Sequence, residues 1–338
     1  MLIAPIVLIV VIGAVLLAGA RAKARRKAQY PPPGRMIDVG GYRLHLQCQG
    51  EGEPAVVIDA GQGDFSLSWA EILPQVATFA RICTYDRAGL GWSDPSPKPR
   101  TAEVMVEELR TLLAKAGVPG PYVLVGASTG GMNVRLFAHK YRREVAGLVL
   151  VDSAHEDQFS APMVQQAMQR MSKMMPLMMG GFQLLVRSGL AALKPTLIPD
   201  SSGMRQKLPQ QDVPIFEAVV AGDAKHLAAA AAELKNLEKS QAQMRAANIT
   251  SLSDIPLVVL RHGAEQPMMA SPEVVKALEE TFERLQTEMA SLSSNGKLIV
   301  AEQSGHAIHL DQPELVVDAI RQVVQAARES HRVATINS

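Results

Sequence analysis

The chain has 338 residues, of which 47% are hydrophobic, and its formal net charge is +1 at pH 7. This balance gives no reason to expect a nucleic acid or another polyanion as a partner. The sequence contains no metal-type cluster of His, Cys and acidic residues and no phosphate-binding Gly-rich loop with its lysine. Its length suffices for one large domain with an insertion, and we expect any catalysis to need no cofactor or metal.

The N-terminal segment is predicted to anchor the protein in a membrane. Residues 2–20 carry no charge, and as a helix they would span about 28 Å, close to the thickness of the hydrocarbon core of a bilayer. Basic residues follow at positions 21–27, whereas a cleaved signal peptide carries its positive charges first. The positive-inside rule then predicts a single-pass anchor at 1–20, a basic and Pro-rich linker at 21–34, and a catalytic domain on the cytoplasmic face.

The next elements are strand-like runs with Gly-rich loops after them. Residues 55–59 form an apolar run, and Ala60-Gly61-Gln62-Gly63 follows it. A second run at 81–86 leads into Asp-Arg-Ala-Gly-Leu-Gly-Trp-Ser, which begins at Asp86. Glycine lets such loops turn sharply. We expect Asp86 and Arg87 to shape their loop rather than to take part in chemistry.

A serine is predicted to lie on a sharp turn between a strand and a helix. Residues 121–131 read Pro-Tyr-Val-Leu-Val-Gly-Ala-Ser-Thr-Gly-Gly, an apolar run that ends in Gly-x-Ser-x-Gly. Gly126 and Gly130 are needed because the strand and helix backbones pack too closely there for side chains. A helix-like stretch at 132–141 follows. An ordinary Gly-rich turn is the alternative, and we interpret Ser128 as a nucleophile.

A serine hydroxyl is a poor nucleophile until an oriented base removes its proton. A strand-like run at 298–302 leads into a short loop that ends in Ser304-Gly305-His306. Residues 311–328 then carry apolar side chains at helical spacing. His306 therefore stands between a strand and a packed helix, and we predict that it is the base.

Four segments together resemble the α/β-hydrolase superfamily, over roughly residues 35–328. They are Val-Ile-Asp-Ala-Gly-Gln-Gly at 57–63, Tyr-Asp-Arg-Ala-Gly-Leu-Gly-Trp-Ser-Asp at 85–94, residues 126–131, and Gly305-His306. The second segment is characteristic of the branch that contains many esterases, epoxide hydrolases and prolyl aminopeptidases. Because serine stands at position 128, where epoxide hydrolases and haloalkane dehalogenases carry aspartate, the chain resembles a serine hydrolase.

The resemblance implies an α/β fold with a mostly parallel eight-stranded sheet flanked by helices. Its implied parts are a core at 35–157 and 255–328, a helical cap between the sixth and seventh strands at 158–254, and a tail at 329–338. In this superfamily an oxyanion hole uses the N–H after the nucleophile and one from the loop after an earlier strand. These donors would be the backbone N–H groups of Thr129 and Gln62.

The acid that would orient the base is not settled by the motifs. The common arrangement of the superfamily puts an aspartate after the seventh strand, here residues 256–261, but the loop that follows offers Glu265 instead. Some lipases of the superfamily carry their acid after the sixth strand, and that place matches Asp152. We predict Asp152, with Glu265 as the alternative acid and Asp157 as a further candidate.

The predicted cap alternates helix-like stretches with Pro and Gly breaks, and residues 227–246 are strong helix formers. Its first stretch holds several methionines, among them Met171 and Met175. Methionine is flexible and polarizable, which suits a surface that adapts to varied apolar ligands. We predict that Met171 and Met175 contact a lipophilic substrate; packing of the cap on the core is the alternative.

The two cysteines test the predicted orientation. In the strand order of α/β hydrolases, the strands that carry Cys48 and Cys83 are neighbours, so a disulfide is geometrically possible. Disulfides persist outside the cytosol and are rare within it. We expect two buried free thiols, and an oxidised pair would instead indicate an exported domain.

Together these predictions describe a membrane-tethered serine hydrolase that cleaves carboxylic esters of lipophilic small molecules through Ser128, His306 and Asp152. The same machinery serves prolyl-type aminopeptidases and other amide or carbon–carbon hydrolases. An aminopeptidase would need an acidic site for the substrate amine, for which Glu156 and Asp157 are candidates. A non-catalytic binding module or receptor of the same fold is the third alternative.

Overall fold

The computed structural model describes residues 3–200, 203–264 and 271–336. Among these residues eight strands form one sheet: β1 (Arg35–Asp38), β2 (Arg43–Gln49), β3 (Ala55–Asp59), β4 (Ile82–Tyr85), β5 (Tyr122–Ala127), β6 (Val145–Val151), β7 (Leu257–His262) and β8 (Gly296–Ala301). The helices are α1 (Ile3–Gln29), α2 (Ile72–Val76), α3 (Ala102–Ala116), α4 (Thr129–Lys140), α5 (Pro162–Arg187), α6 (Leu190–Leu193), α7 (Met204–Lys207), α8 (Val213–Val220), α9 (Ala224–Lys235), α10 (Leu237–Ala247), α11 (Pro272–Ala290), α12 (Ile308–Asp311) and α13 (Pro313–Ile336).

The sheet has the strand order β1-β2-β4-β3-β5-β6-β7-β8. Its first two strands pair antiparallel, β2 pairs antiparallel with β4, and the strands from β4 to β8 pair parallel. The central strands are apolar and buried on both faces, as a parallel sheet covered by helices requires. The carboxyl ends of β3, β5, β6, β7 and β8 therefore meet at one edge, and the loops that leave this edge carry Gln62, Ser128, Asp152 and His306.

Helices cover both faces of the sheet. On one face α3, α4 and α11 bury Leu109, Phe137 and Met289 against it. On the other face α2 and α13 bury Ile72 and Ile320. The predicted α/β architecture with a mostly parallel eight-stranded sheet is confirmed.

Helices α5 to α10 lie between β6 and β7, the place of the predicted cap. They bury a separate apolar cluster in which Val186, Val220 and Leu227 of the insertion join Phe65 and Leu90 of the core loops. The stretch 227–246 is not one helix, because α9 ends at Lys235 and α10 begins at Leu237. Helix α13 continues to Ile336 and so includes most of the stretch predicted as a tail.

The N-terminal helix α1 is long and apolar enough to cross a membrane, judged by length and composition. It continues through the basic segment to Gln29, beyond the predicted end of the anchor. Its later part contacts α6 and α8 of the insertion. Helix α1 and the insertion are therefore adjacent in the fold.

Cys48 and Cys83 form a disulfide, so the expectation of two free thiols is wrong for this structure. They face each other directly in the antiparallel pair of β2 and β4, with Cα atoms 4.1 Å apart. A directly opposed antiparallel pair brings the two Cβ atoms within reach of each other. Strand pairing thus placed the sulfurs in bonding range, which the spacing of the cysteines in the sequence does not show.

Candidate active site

Ser128 occupies the turn between β5 and α4. Its backbone has φ 49° and ψ −123°, a conformation that L-residues rarely adopt. Its N–H donates to the carbonyl oxygen of Val151 at 3.1 Å, and its own carbonyl accepts from the N–H of Ala154 at 2.8 Å. These bonds hold the strained turn against the end of β6 and leave the serine half-buried.

Two glycines make this turn possible. A Cβ added at Gly130 would lie 2.1 Å from the carbonyl oxygen of Asp59, and one at Gly126 would lie 2.6 Å from the Cα of Gly131. Non-bonded atoms do not approach so closely. Because β3, β5 and α4 meet at this point, only glycine fits at positions 126 and 130.

His306 and Asp152 are in contact although 154 positions separate them in the sequence. His306 Nδ1 lies 2.6 Å from Asp152 Oδ2. The histidine side chain is 55% exposed, whereas the carboxylate is fully buried at the end of β6. Asp152 also has a positive φ of 46°. An imidazole held at Nδ1 leaves its Nε2 free to exchange a proton with a hydroxyl group.

A second histidine, His262, binds the same carboxylate. Its Nδ1 lies 2.8 Å from both oxygens of Asp152, and its backbone N–H donates to Oδ1 at 2.8 Å. Its Nε2 lies 3.0 Å from Glu279 Oε2 on α11. No sequence motif indicated His262 or Glu279. The one available signal is that His262 ends β7, the strand after which the superfamily usually carries its acid.

The two histidines determine the protonation of Asp152. Burial would raise the pKa of Asp152, but the hydrogen bonds and charges of His262 and His306 lower it overall. Burial likewise would lower the pKa of His262, but Asp152 and Glu279 raise it. The site therefore holds Asp152 as a carboxylate between two imidazole rings.

Arg87 holds the loop that carries Gln62. Its guanidinium donates to the carbonyl oxygens of Ala60 and Gly61, both at 2.6 Å. On the other side of Gln62, the N–H of Gly63 donates to Glu233 Oε2 of α9 at 3.0 Å. The peptide groups on either side of Gln62 are therefore tied to buried charged side chains.

The same guanidinium pairs with two buried carboxylates. Arg87 Nη1 lies 2.7 Å from Asp59 Oδ1, while Nε and Nη2 lie 2.7 and 3.0 Å from the two oxygens of Glu233. Burial would lower the pKa of Arg87, but Glu233 and Asp59 raise it far above its ordinary value. All five N–H groups of the guanidinium have acceptors, so Arg87 holds the loop of Gln62 rather than only its own loop.

The loop around Gln62 lies beside the nucleophile candidate. A Cβ added at Gly61 would be 3.3 Å from the Cβ of Ser128. Thr129 opens α4 directly after the serine. Within the described residues no hydrogen bond joins Ser128 to His306, and such bonds often tighten only when substrate is bound.

Three predicted site residues, Glu265, Met171 and Met175, lie away from the contacts described above or outside the described part of the chain. The alternative acid Glu265 lies outside the described residues, as does the side chain of Met171. Met175, on α5, is partly buried. Within the described ranges, no group of three or more His, Cys, Asp or Glu side chains is placed to hold a metal ion.

A small cavity adjoins the loop of Gln62. Its lining combines Gln62 and Thr129 with Met105 of α3 and Met132 of α4. Leu237 of α10 completes its apolar wall, and Met175 is not part of it. The prediction that Met171 and Met175 contact substrate stays a prediction.

Comparison with known proteins gives one family and several relatives. The model of the alpha/beta hydrolase fold family matches residues 54–313. A Gibberella zeae protein named "AB hydrolase superfamily protein" is 26% identical over 304 residues, which cover 82% of this chain and 88% of that protein. The Hormonema carpetanum protein named "Probable transporter efuK" is 29% identical over 332 residues, 89% of this chain but only 44% of that longer protein.

A solved structure has the same fold. An esterase from Thermogutta terrifontis, with malate bound, superimposes with a TM-score of 0.56 at 23% identity and covers 87% of this chain and 98% of its own. At this level of identity the likeness supports the fold alone.

Proposed function

Because this chain belongs to the α/β-hydrolase family, we propose that it is a serine hydrolase that α1 tethers to a membrane and that cleaves carboxylic esters of lipophilic small molecules. The observation that carries the proposal is the hydrogen bond between His306 and Asp152 at the sheet edge where Ser128 turns. Membership of the family does not determine the bond that is cleaved. Hydrolysis of nitrophenyl esters tests the ester assignment.

In this mechanism the Ser128 hydroxyl attacks the ester carbonyl while His306 Nε2 takes its proton and Asp152 stabilises the imidazolium. The backbone N–H groups of Gln62 and Thr129 donate to the oxyanion of the tetrahedral intermediate. His306 then protonates the leaving alcohol, and an acyl-enzyme remains. Water attacks this ester in a second, equivalent cycle, which releases the carboxylic acid and restores the serine hydroxyl.

His262 serves this mechanism as a positioning residue. It donates to Asp152 from its ring and its backbone, and Glu279 holds the far side of its ring. The carboxylate is thereby kept ionised and oriented toward His306 despite its burial. His262 also packs on Phe282, with ring centroids 5.1 Å apart.

We expect His262→Phe to lower kcat about tenfold, because Asp152 loses the donor that orients it. The His262 hydrogen bond lowers the pKa of Asp152, so its removal raises that pKa. The loss of kcat/KM in His262→Phe should then deepen as the pH is lowered, because Asp152 takes up a proton at a higher pH than in the wild type.

His262→Asn, whose side-chain N–H can take the place of Nδ1 toward Asp152, is the matched control and should restore most of the rate and of the original pH profile. An equal loss of rate in His262→Phe at every pH, with no change in the acid limb of the pH profile, would show that His262 acts only through packing.

The aminopeptidase alternative receives less support from the geometry. Its candidate acidic residues are already paired, Glu156 with Arg135 at 2.7 Å and Asp157 with Arg245 at 2.7 Å. A carboxylate that binds an arginine has less capacity for a substrate amine. Ester hydrolysis needs no such acidic site.

The orientation of the domain depends on two features that oppose each other. The basic residues after the apolar part of α1 favour the cytoplasmic face. The disulfide between Cys48 and Cys83 is typical of an oxidising compartment. Alkylation of the cysteines after rapid denaturation of the cells decides between them, because Cys83 is fully buried in the folded chain. Reduced cysteines support a cytoplasmic domain, and a disulfide supports an exported one.

Fluorophosphonate labelling of the full chain in detergent tests the serine mechanism. We expect the wild type and Ser160→Ala, an exposed serine outside the site, to be labelled, and Ser128→Ala to resist labelling because it lacks the activated hydroxyl. A series of nitrophenyl esters then gives the preferred acyl length. Labelling that persists in Ser128→Ala would contradict the nucleophile, and absence of turnover for every ester would favour the binding-module alternative.

A further inference from the structure

The outer face of α5 is apolar where a surface helix is normally polar. Its exposed apolar side chains include Met174, Leu177, Met178 and Leu184, with exposed fractions of 66%, 84%, 48% and 67%. Their spacing puts them on one side of the helix. The opposite side packs on the insertion cluster through Met179, Phe182 and Val186.

Two further apolar side chains are exposed beyond the end of α5. Leu193 on α6 and Leu197 just after it are also exposed. We call Met174, Leu177, Met178, Leu184, Leu193 and Leu197 the outer cap face. Contiguous exposed apolar surface of this kind marks an interaction site.

The segment after α5 contacts α1 at two defined positions along α1. Gly19 of α1 is buried against Gly189, since a Cβ added at Gly189 would lie 2.5 Å from the Gly19 carbonyl carbon. Arg26 of α1 donates to the carbonyl oxygen of Ala192 at 3.0 Å, which fixes the crossing. The two backbones touch because neither residue has a side chain.

Gly19 lies at the end of the uncharged stretch 2–20, just before the first basic residue, Arg21. If α1 spans a bilayer, Gly19 is at the boundary of the hydrocarbon core, and Gly189 is at the same height. Leu184 precedes Gly189 by five residues, about 8 Å along a helix. Leu184 therefore lies within about 8 Å of this boundary.

Basic side chains surround this surface. Arg170, Arg187 and Lys194 are exposed on or beside α5 and α6. The segment 21–27 of α1 adds further basic residues next to them. An apolar surface flanked by cations is complementary to the interface of a bilayer that contains anionic lipids.

We infer that the outer cap face is embedded in the interface of the bilayer that α1 spans, and that the ester substrate enters the site from the lipid phase. The inference rests on the proposed membrane anchor. The insertion contacts the loop of Gln62 through Glu233, so its membrane-bound part and the site belong to one packed unit. The substrate class is then an ester with a long acyl chain that dissolves in lipid.

Single-cysteine labelling of the full chain tests this placement. The two natural cysteines are joined, so an introduced cysteine is the free thiol available for an environment-sensitive nitrobenzoxadiazole label. The labelled variants are Leu16→Cys in α1, Leu177→Cys in the outer cap face, and Asn295→Cys before β8, at the sheet edge opposite the cap. Each is reconstituted in phosphatidylcholine–phosphatidylglycerol vesicles with or without doxyl-labelled lipid.

We expect doxyl lipid to quench about half or more of the emission at positions 16 and 177 and to leave position 295 unchanged, since an interfacial helix inserts its apolar face among the acyl chains. Quenching at 16 without quenching at 177 would overturn the inference and leave the anchor intact. Absence of quenching at 16 would refute the tether itself. Blue-shifted emission at 177 without quenching would show that protein, such as a second copy of the chain, covers the face.

The double variant Leu177→Glu/Leu184→Glu tests the route of the substrate. We expect turnover of a long-chain ester dissolved in the vesicles to fall about tenfold, because two charges oppose insertion of the face. Turnover of a water-soluble butyrate ester should stay within about twofold, since both side chains point away from the core. An equal loss for both esters would overturn the inference, whereas absence of any turnover in the wild type would refute the proposed hydrolase.

Discussion

Replacing Asp152 with asparagine is expected to lower kcat for ester hydrolysis by about 10⁴ while KM changes little. The amide is neutral and cannot stabilise the imidazolium of His306, and its NH₂ group favours the wrong tautomer of the ring. Asp152 is fully buried behind His306, so it should not contribute to substrate binding. Steady-state kinetics with the preferred nitrophenyl ester measure both constants.

Glu265→Gln is the matched control, because it makes the same carboxylate-to-amide change at the alternative acid. We expect it to keep kcat within about twofold of the wild type. Thermal unfolding of both variants checks that Asp152→Asn is folded. Loss of turnover in Glu265→Gln together with a nearly normal Asp152→Asn would assign the acid to the loop after β7.

Replacing Arg87 with methionine is expected to destabilise the fold by about 3–5 kcal/mol. The variant leaves Asp59 and Glu233 buried without their cation and removes the donors to the carbonyl oxygens of Ala60 and Gly61. Lysine cannot replace the arginine, because one ammonium group cannot reach acceptors on several sides. Urea unfolding measures the change in the free energy of unfolding.

Arg87 variants should also lose activity per folded molecule. We expect kcat of Arg87→Lys to fall about 10²-fold, because the loop that presents the Gln62 N–H is no longer held in place. Arg100→Met is the control, since Arg100 is a second buried arginine, bound to Glu108 at 2.8 and 2.6 Å in hydrogen bonds outside this loop. It should be destabilised comparably but keep its kcat, and an equal loss of kcat in both would contradict the role of Arg87.

The strands were largely predictable from local pattern. The runs 55–59 and 298–302 correspond to β3 and most of β8, because short apolar segments bounded by glycine are typical of buried strands. The stretch of strong helix formers at 227–246 shows the limit of this reasoning. Residue preferences favour one helix there, yet the chain turns at Asn236 so that α9 and α10 pack on different parts of the core.

The acid position was not predictable in the same way. Local sequence left Asp152 and Glu265 as alternatives, since each follows a strand at the same sheet edge. The fold brings Asp152 against His306 and His262, which lie 154 and 110 positions away in the sequence. A contact over such a separation leaves no periodic pattern in one sequence.

The sequence by itself determined the fold family, the strained turn at Ser128 and the apolar character of α1, because each depends on side-chain types within a short stretch. Only the tertiary structure decided which groups meet. It pairs Cys48 with Cys83 and places two histidines on Asp152. It also binds Arg87 to the loop of Gln62 and brings α1 against the insertion. Strand order and helix packing bring these residues together, and both arise from burial of apolar surface over the whole chain.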